Sequence, residues 1–246
     1  LSDIKTPIEV LKILKNHSKH AYLLESVVGQ EKWGRYTFLG FNPKFDISCV
    51  DGKMNVGDKI FHTNDPSQVL RDLLKDYKSP QFDNLPSFTG GLVGYFSFDY
   101  INYAEPSAKG NVEDTENFKD VDLMFFDQVI AFDNFKQKII LIVNMPLTNL
   151  ELEYEKAKDE LQKLIDLIKN GKPIVEEKGK LLGEVNSLFG KDEYCEMVKK
   201  AKHHIHEGDI FQIVLSNRLS APFSGSLLDT YRVLRTINLS PYMFYF

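Results

Sequence analysis

Apolar residues recur at helical spacing in five segments of the chain. In the first segment, Val10, Leu11 and Leu14 share one face. Thr6 occupies the N-cap position and Pro7 the first helical position, where the N–H that proline lacks would have no partner in any case. The same spacing predicts four further helices, over residues 67–77, 150–169, 192–208 and 227–237.

Runs of β-branched and aromatic residues between these helices predict strands. Asp51-Gly52 separates two such runs and tolerates positive φ, which predicts a hairpin. Residues 133–136 are predicted as the turn of a second hairpin, and the acidic segment 102–120 as an exposed loop. The predicted strands are 22–28, 35–40, 45–50, 53–56, 123–132 and 137–145, with a connection over 29–34 that carries Trp33.

The last third of the chain contains two further apolar runs. Residues 211–219 have no polar face, which predicts a strand covered on both sides. Residues 241–246 are predicted to be its neighbour in a sheet. Four of these six residues are aromatic, and such a strand is seldom left unpaired at a terminus. We therefore expect the chain to be the first half of a longer protein.

The order of these elements predicts an α+β fold, because early hairpins with helices between them show no regular strand–helix–strand alternation. We expect mainly antiparallel sheets in a two-sheet sandwich with peripheral helices, incomplete at the C-terminus. Residues 172–186 carry several charges and little apolar periodicity, which predicts a linker over 171–190. This linker would separate residues 1–170 from residues 191–246.

Composition narrows the classes of partner and compartment. With 43% apolar and 12% aromatic residues, the chain can build a core. A formal charge of −5 with scattered lysines leaves no basic stripe for nucleic acid. Cys49 and Cys195 lie far apart, no secretion signal opens the chain, and no apolar run approaches the ~20 residues of a membrane span. These features predict a cytoplasmic protein with neither a nucleic-acid nor a membrane partner.

The residues alone do not define a catalytic set. The glycine-rich run 88–100 lacks the spacing of a nucleotide-binding loop and is better explained as a strand whose backbone is closely approached. His203 and His206 stand at i and i+3, but no carboxylate or cysteine joins them at a ligand spacing, so no metal site is predicted. Asp209 and Gln212 fit either a substrate contact or a turn and receive no assignment.

Four motifs resemble the chorismate-utilising enzymes, and within them the family of anthranilate synthase component I. Each motif is weakly specific, but together they follow the family's order along the chain. One departure is Leu239, where the family usually has proline. The motifs are Leu23-Leu24-Glu25-Ser26 with Trp33-Gly34-Arg35-Tyr36-Thr37-Phe38-Leu39-Gly40, Gly90-Gly91-Leu92-Val93-Gly94-Tyr95 with Asp99, Gly208-Asp209-Ile210-Phe211-Gln212, and Ser240-Pro241-Tyr242-Met243-Phe244-Tyr245.

The resemblance implies an activity for the parent enzyme in tryptophan biosynthesis. Ammonia, supplied from glutamine by a separate glutamine amidotransferase subunit (component II), would add to the chorismate ring with loss of the hydroxyl as water. Elimination of pyruvate would then leave anthranilate. A bound Mg²⁺ would act as Lewis acid. The family's catalytic residues and metal ligands follow the Pro-Tyr-Met strand, so we expect them beyond Phe246 and expect residues 1–246 to be inactive alone. Residues 1–170 would be the regulatory half and 191–246 the truncated start of the chorismate-binding domain.

The resemblance also implies a feedback site for L-tryptophan between the two sheets. An amino acid needs a cation for its carboxylate, which Arg35 can supply, and acceptors for its ammonium, which strand carbonyls near Glu25 or Met243 supply. Tyr242 and Met243 offer the flat, polarisable walls that an indole requires. The candidate tryptophan-binding residues are Ser26, Pro241, Tyr242, Met243, Glu25 and Arg35.

Other interpretations stay open on the sequence alone. Without the resemblance, Ser26 ends a strand, Met243 fills core and Arg35 forms a surface ion pair. For the function, aminodeoxychorismate synthase component I adds ammonia at a different ring carbon, and a non-catalytic amino-acid-sensing module does no chemistry. A continuation of the gene beyond Phe246 that carries the family's histidine and acidic motifs would favour an enzyme over a sensor.

Overall fold

A computed structural model describes residues 1–26, 34–110, 114, 116–238 and 240–246. It confirms an α+β fold with antiparallel sheets. The helices of the described residues are α1 (Pro7–His17), α2 (Pro66–Asp76), α3 (Ile101–Ala104), α4 (Leu150–Asn170), α5 (Lys191–Glu207) and α6 (Leu228–Ile237). The strands are β1 (Ala21–Glu25), β2 (Tyr36–Phe41), β3 (Phe45–Val50), β4 (Lys53–Val56), β5 (Lys59–His62), β6 (Gly91–Phe96), β7 (Val121–Phe126), β8 (Gln128–Asp133), β9 (Lys138–Val143), β10 (Lys180–Leu181), β11 (Asn186–Ser187), β12 (Leu219–Ser220), β13 (Phe223–Ser224) and β14 (Met243–Tyr245).

The chain divides into two compact units. Residues 1–175 and 235–246 form the first unit, and residues 176–234 form the second. The last twelve residues thus group with the amino-terminal part of the chain. The predicted division had placed them with residues 191–234, beyond a linker at 171–190. The assignment of residues 191–246 to a chorismate-binding domain stays a prediction.

The first unit contains two five-stranded sheets, and all of their strand pairs are antiparallel. Sheet 1 has the order β14-β1-β2-β8-β9, and sheet 2 has the order β5-β4-β3-β7-β6. The core between the sheets joins Tyr22 of β1 to Val93 of β6 and Phe126 of β7. The rings of Tyr22 and Phe126 meet edge to face with centroids 4.7 Å apart. Burial of each large side chain here contributes about 1.5–3 kcal/mol.

Helices cover other faces of these sheets. Helix α1 contacts β1 and β2, and its apolar stripe Val10, Leu11, Ile13 and Leu14 is fully buried. Helix α2 inserts Leu70 into a second cluster on sheet 2, formed by the buried residues Ile47, Cys49, Met54, Val121 and Leu123. Both predicted helices are confirmed. The apolar stripe of α1 is fully buried, whereas in α2 Leu70 is buried and Leu74 is 41% exposed.

The glycine-rich run is a strand that another backbone approaches closely, as predicted. Gly94 of β6 has φ of 153°, and a Cβ there would overlap the carbonyl oxygen of Asp122 and lie 2.8 Å from Leu123 Cα. Only glycine fits this position, because an L side chain is both strained and obstructed there.

The hairpin prediction around Asp51-Gly52 is confirmed, since β3 and β4 have the predicted bounds and both turn residues have positive φ.

The predicted strand over 123–132 is wrong in one respect. It is two strands, β7 in sheet 2 and β8 in sheet 1, which are separated by Asp127. The chain changes sheets there, and the Asp127 carbonyl accepts hydrogen bonds from the Asn144 backbone N–H at 2.9 Å and side-chain amide at 3.0 Å.

Some predictions fall partly outside the described residues. Strand β1 ends at Glu25, and residues 27–28, the connection with Trp33 and the departure at Leu239 are not described. The predicted loop 102–120 includes most of α3 and a 3₁₀ turn, Pro106–Ala108, although residues 111–113 and 115 are outside the description.

In the second unit, the strand predicted over 211–219 is wrong. Residues 212–218 form no strand, and the Phe211 and Val214 side chains are strongly exposed. An apolar run forms a strand only where a neighbouring strand pairs with it, and β10–β13 and β11–β12 are the pairs among the described residues of this unit. Asp192 is also not the N-cap of α5; Gly190 is, and Asp192 lies in the first turn.

The partner predicted for the last strand is wrong as well. Strand β14 pairs with β1, not with residues 211–219. Strand pairing depends on which faces can be buried together in three dimensions, and sequence order does not fix it.

Candidate functional site

The pairing of β1 with β14 brings two of the sequence motifs together. Glu25 lies opposite Met243, and Leu24 lies opposite Phe244. Continuing this antiparallel register by one residue sets Ser26 opposite Tyr242. Five of the six predicted tryptophan-binding residues, Glu25, Ser26, Pro241, Tyr242 and Met243, therefore lie on two adjacent chain segments at one end of sheet 1.

These residues differ in their exposure. Glu25 and Met243 are buried, whereas Pro241 and Tyr242 are exposed. The hydroxyl oxygen of Ser26 is buried and has no hydrogen-bond partner among the described residues. A buried hydroxyl without a partner loses its hydration, so Ser26 is suited to a ligand group that donates to it or accepts from it.

Glu25 is held by an ion pair with α6. The Arg235 Nη2 atom lies 2.9 Å from the Glu25 Oε2 atom, and the Glu25 side chain is only 4% exposed. A buried carboxylate requires such a charge-assisted partner, because transfer from water to a low-dielectric site disfavours its charge. The Glu25 carboxylate is therefore fixed in position beside the strand end.

Sequence reasoning missed Arg235 as a site residue. Its position at i+4 from the buried Tyr231 and i+7 from the buried Leu228 places it on the buried face of α6. The sequence did carry a signal for Arg235. A charged residue on the apolar stripe of a helix needs a partner when it is buried.

Arg35 occupies a different environment. Its Nη2 atom donates to Asp133 Oδ2 at 2.8 Å and its Nε atom donates to Asp133 Oδ1 at 3.2 Å. The Asp133 carboxyl, 2% exposed, also accepts the Lys136 backbone N–H at 2.9 Å. The hydrogen bonds from Arg35 lower the pKa of Asp133. The Arg35 guanidinium thus forms an ion pair, which is one of the two interpretations that the sequence left open. A contact between Arg35 and tryptophan stays a prediction.

A groove of about 720 Å³ lies between the two sheets of the first unit. Leu24 and Phe244 line it, together with Leu70 and Leu74 of α2. Successive side chains of a strand point to opposite faces, so Glu25 and Met243 face away from this groove. On their side of the sheet, Lys15 of α1 donates to the Tyr245 hydroxyl at 3.3 Å.

The donors needed for Mg²⁺ do not converge in the described part of the chain. No group of three or more His, Cys, Asp or Glu residues is close enough there to hold a metal ion. His204 Nδ1 lies 2.8 Å from Asp209 Oδ2, which is an ion pair at the end of α5 when the imidazole is protonated. The described residues therefore do not fit a magnesium site. In the same residues no helix has the length and apolar character for a membrane span.

Comparison with known proteins assigns the chain to a family. Residues 19–246 match the family model whose description is chorismate binding enzyme. The chain therefore belongs to the chorismate-binding enzyme family.

Several curated relatives share the name anthranilate synthase component 1. Anthranilate synthase component 1 of Acinetobacter calcoaceticus is 36% identical over 99% of this chain and 50% of its own length. The protein of the same name from Aquifex aeolicus (strain VF5) is 36% identical over all of this chain and 51% of its own length. The crystal structure of anthranilate synthase component I from Streptococcus pneumoniae TIGR4 superposes with a TM-score of 0.65 and 25% identity, over 96% of this chain and 51% of that chain. The chain spans about half the length of the curated relatives it matches.

Proposed function

We propose that the chain is part of an anthranilate synthase component I, a lyase that converts chorismate and ammonia into anthranilate, pyruvate and water. The observation that carries this proposal is the family match over residues 19–246 together with relatives of that name at 36% identity along the whole chain. The four ordered motifs agree with it.

Ammonia would come from glutamine through a glutamine amidotransferase subunit, component II. Mg²⁺ would serve as Lewis acid when bound. Its ligands and the catalytic residues are expected beyond Phe246, because the chain covers about half of the relatives' length. Residues 1–246 alone are accordingly proposed to be inactive.

The residues of this chain are proposed to form a feedback site for L-tryptophan. Ser26 would hydrogen-bond the amino-acid end of the ligand, since its buried hydroxyl lacks a partner among the described residues. The Glu25 and Met243 backbone carbonyls would accept from the ammonium, and Pro241 and Tyr242 would contact the indole. Glu25 and Met243 already lie opposite each other, which supports one site built from both strands.

The reaction is tested on the full-length gene product with chorismate, ammonium and Mg²⁺. Anthranilate is measured by its fluorescence, and pyruvate by coupling to lactate dehydrogenase. Equal rates of anthranilate and pyruvate formation are expected. An aminated product that keeps its enolpyruvyl group would instead indicate aminodeoxychorismate synthase, and no turnover would indicate a sensing module.

The regulatory part and the fragment are tested separately. L-tryptophan is expected to inhibit the full-length enzyme, and glutamine is expected to replace ammonium only when component II is added. A polypeptide limited to residues 1–246 is expected to leave chorismate unchanged. Turnover by that polypeptide would place the catalytic residues within this chain.

A further inference from the structure

Glu25 makes two separate connections to one short stretch of chain. Its backbone pairs with Met243 in the β1–β14 ladder, and its carboxylate forms the ion pair with Arg235. Both ends of the segment 235–243 are thereby fixed to one residue of β1. The segment between them carries Pro241 and Tyr242.

We propose that Arg235 is a positioning residue for the tryptophan site, an inference that rests on the proposed regulatory function. By holding the Glu25 carboxylate, Arg235 fixes the segment that presents Pro241, Tyr242 and Met243 beside Ser26. It does not itself contact the ligand. Short loops whose two ends are fixed lose less conformational entropy when a ligand orders them, so the ion pair strengthens ligand binding by preorganisation.

The ion pair also sets the charge of the site. With Arg235 in place, the Glu25 carboxylate is neutralised by a charge-assisted hydrogen bond of 2.9 Å. A zwitterionic amino acid then meets a site without excess negative charge. Removal of Arg235 takes one positive charge from beside the buried carboxylate, which favours a cationic amine over a zwitterion relative to wild type.

Three variants of the full-length enzyme test this role: Arg235→Met, Arg235→Lys and Glu25→Gln. The readouts are the inhibition constant of L-tryptophan, the binding of tryptamine, and kcat and KM for chorismate. Arg232→Met is the matched control, since Arg232 lies one turn earlier on α6 and pairs with Asp229 at 2.9 Å on the surface, where both side chains are about half exposed.

The Arg235→Met enzyme is expected to bind tryptophan at least about tenfold more weakly, with kcat and KM for chorismate changed by less than about twofold. Its preference for tryptophan over tryptamine is expected to fall. Arg235→Lys retains the positive charge and is expected to recover most of the affinity. Combining Arg235→Met with Glu25→Gln should weaken binding little beyond either single change, because both remove the same ion pair.

The possible failures are distinguishable. If wild-type enzyme is not inhibited by tryptophan, the proposed regulatory function fails. If wild type is inhibited but Arg235→Met and Arg235→Lys match the Arg232→Met control, the positioning role alone is overturned. If Arg235→Met does not fold, as judged by thermal melting, the decision rests on Glu25→Gln, which removes the same charge pair. Unchanged tryptophan inhibition in Glu25→Gln then overturns the role.

Discussion

Glu25 of β1 lies opposite Met243 of β14, although the two residues come from opposite ends of the chain. Strand β14 is an edge strand of sheet 1, and β1 is its only neighbour in that sheet among the described residues. The amino-terminal motif therefore provides the backbone partners that order the last strand. A ligand bound at this end of the sheet would touch both motifs at once.

The first prediction concerns this strand end. In the full-length enzyme, Ser26→Ala and Met243→Thr are each expected to weaken tryptophan inhibition at least about tenfold, or about 1.4 kcal/mol, while chorismate turnover is kept. Ser26→Ala removes the buried hydroxyl that has no protein partner among the described residues. Met243→Thr replaces a buried apolar side chain by a smaller polar one behind the strand end that presents Tyr242. The measurement is the inhibition constant of tryptophan at fixed chorismate concentration.

A serine elsewhere on the surface controls for this experiment. Ser79 is exposed and lies outside the helices and strands, so Ser79→Ala should leave inhibition unchanged. Tryptophan binding should also weaken when chorismate is present, because coupling between two sites is reciprocal. Wild-type inhibition in both site variants would remove Ser26 and Met243 from the site.

Much of the fold follows from local sequence signals. The stripe of Val10, Leu11 and Leu14 predicts α1 because one buried face is enough to define a helix. Asp51-Gly52 predicts its hairpin because the turn itself requires positive φ. Such features depend on neighbours in sequence and therefore do not need the tertiary structure.

Other features depend on contacts between distant segments. The break at Asp127 has no turn signature, and its cause is that β7 and β8 belong to different sheets. The same limit applies to the candidate site. The motifs pointed to Glu25 and Met243, and the helical stripe marks Arg235, but the pairing of Arg235 with Glu25 is visible only in three dimensions. Apolar runs are also ambiguous, since residues 211–219 have strand composition without a strand partner.

The second prediction concerns Gly94. Gly94→Ala is expected to lower the free energy of unfolding by about 3 kcal/mol, since the added methyl group overlaps the Asp122 carbonyl oxygen in a strained backbone region. Gly183→Ala is the control, because its Cβ would meet Pro222 at 3.5 Å, an ordinary contact distance. Thermal melting of both variants measures the difference. If Gly94→Ala and Gly183→Ala melt at the same temperature, the β7 backbone does not approach Gly94 as closely as the structure shows.

The third prediction concerns acid stability. Hydrogen bonds from Arg35 lower the pKa of the folded Asp133 below its ordinary value of 3.8. The ion pair therefore stabilises the fold fully above the unfolded pKa, and this stabilisation is lost as the pH falls through the lower, folded pKa. Asp133→Asn should lower the free energy of unfolding by about 2 kcal/mol at neutral pH and less in acid.

Urea denaturation between about pH 7 and pH 2 measures this dependence. Asp72→Asn provides the control, since Asp72 pairs with Lys75 at 2.7 Å with both side chains exposed. The free energies of unfolding of wild type and Asp133→Asn are compared at each pH. If their difference is constant over the whole range, the carboxylate charge contributes nothing to stability.

The fourth prediction concerns the hydroxyl that holds the first hairpin turn. Tyr103 donates to Asp120 Oδ2 at 2.6 Å and accepts the Gly52 backbone N–H at 2.7 Å, while the Asp51 N–H donates to the same carboxylate oxygen at 2.8 Å. Tyr103→Phe leaves the Gly52 N–H without this acceptor, which should lower the free energy of unfolding by about 1–3 kcal/mol.

Hydrogen exchange distinguishes a local from a general effect of Tyr103→Phe. The Gly52 amide is expected to exchange faster in the variant, because its protection depends on the lost oxygen. Tyr154→Phe is the matched control, since Tyr154 is 55% exposed on α4 and its change should alter neither stability nor exchange at Gly52. If the Gly52 amide exchanges equally in wild type and in Tyr103→Phe, the turn is held by its own backbone geometry and not by the tyrosine, because positive φ at Asp51 and Gly52 would then suffice to form it.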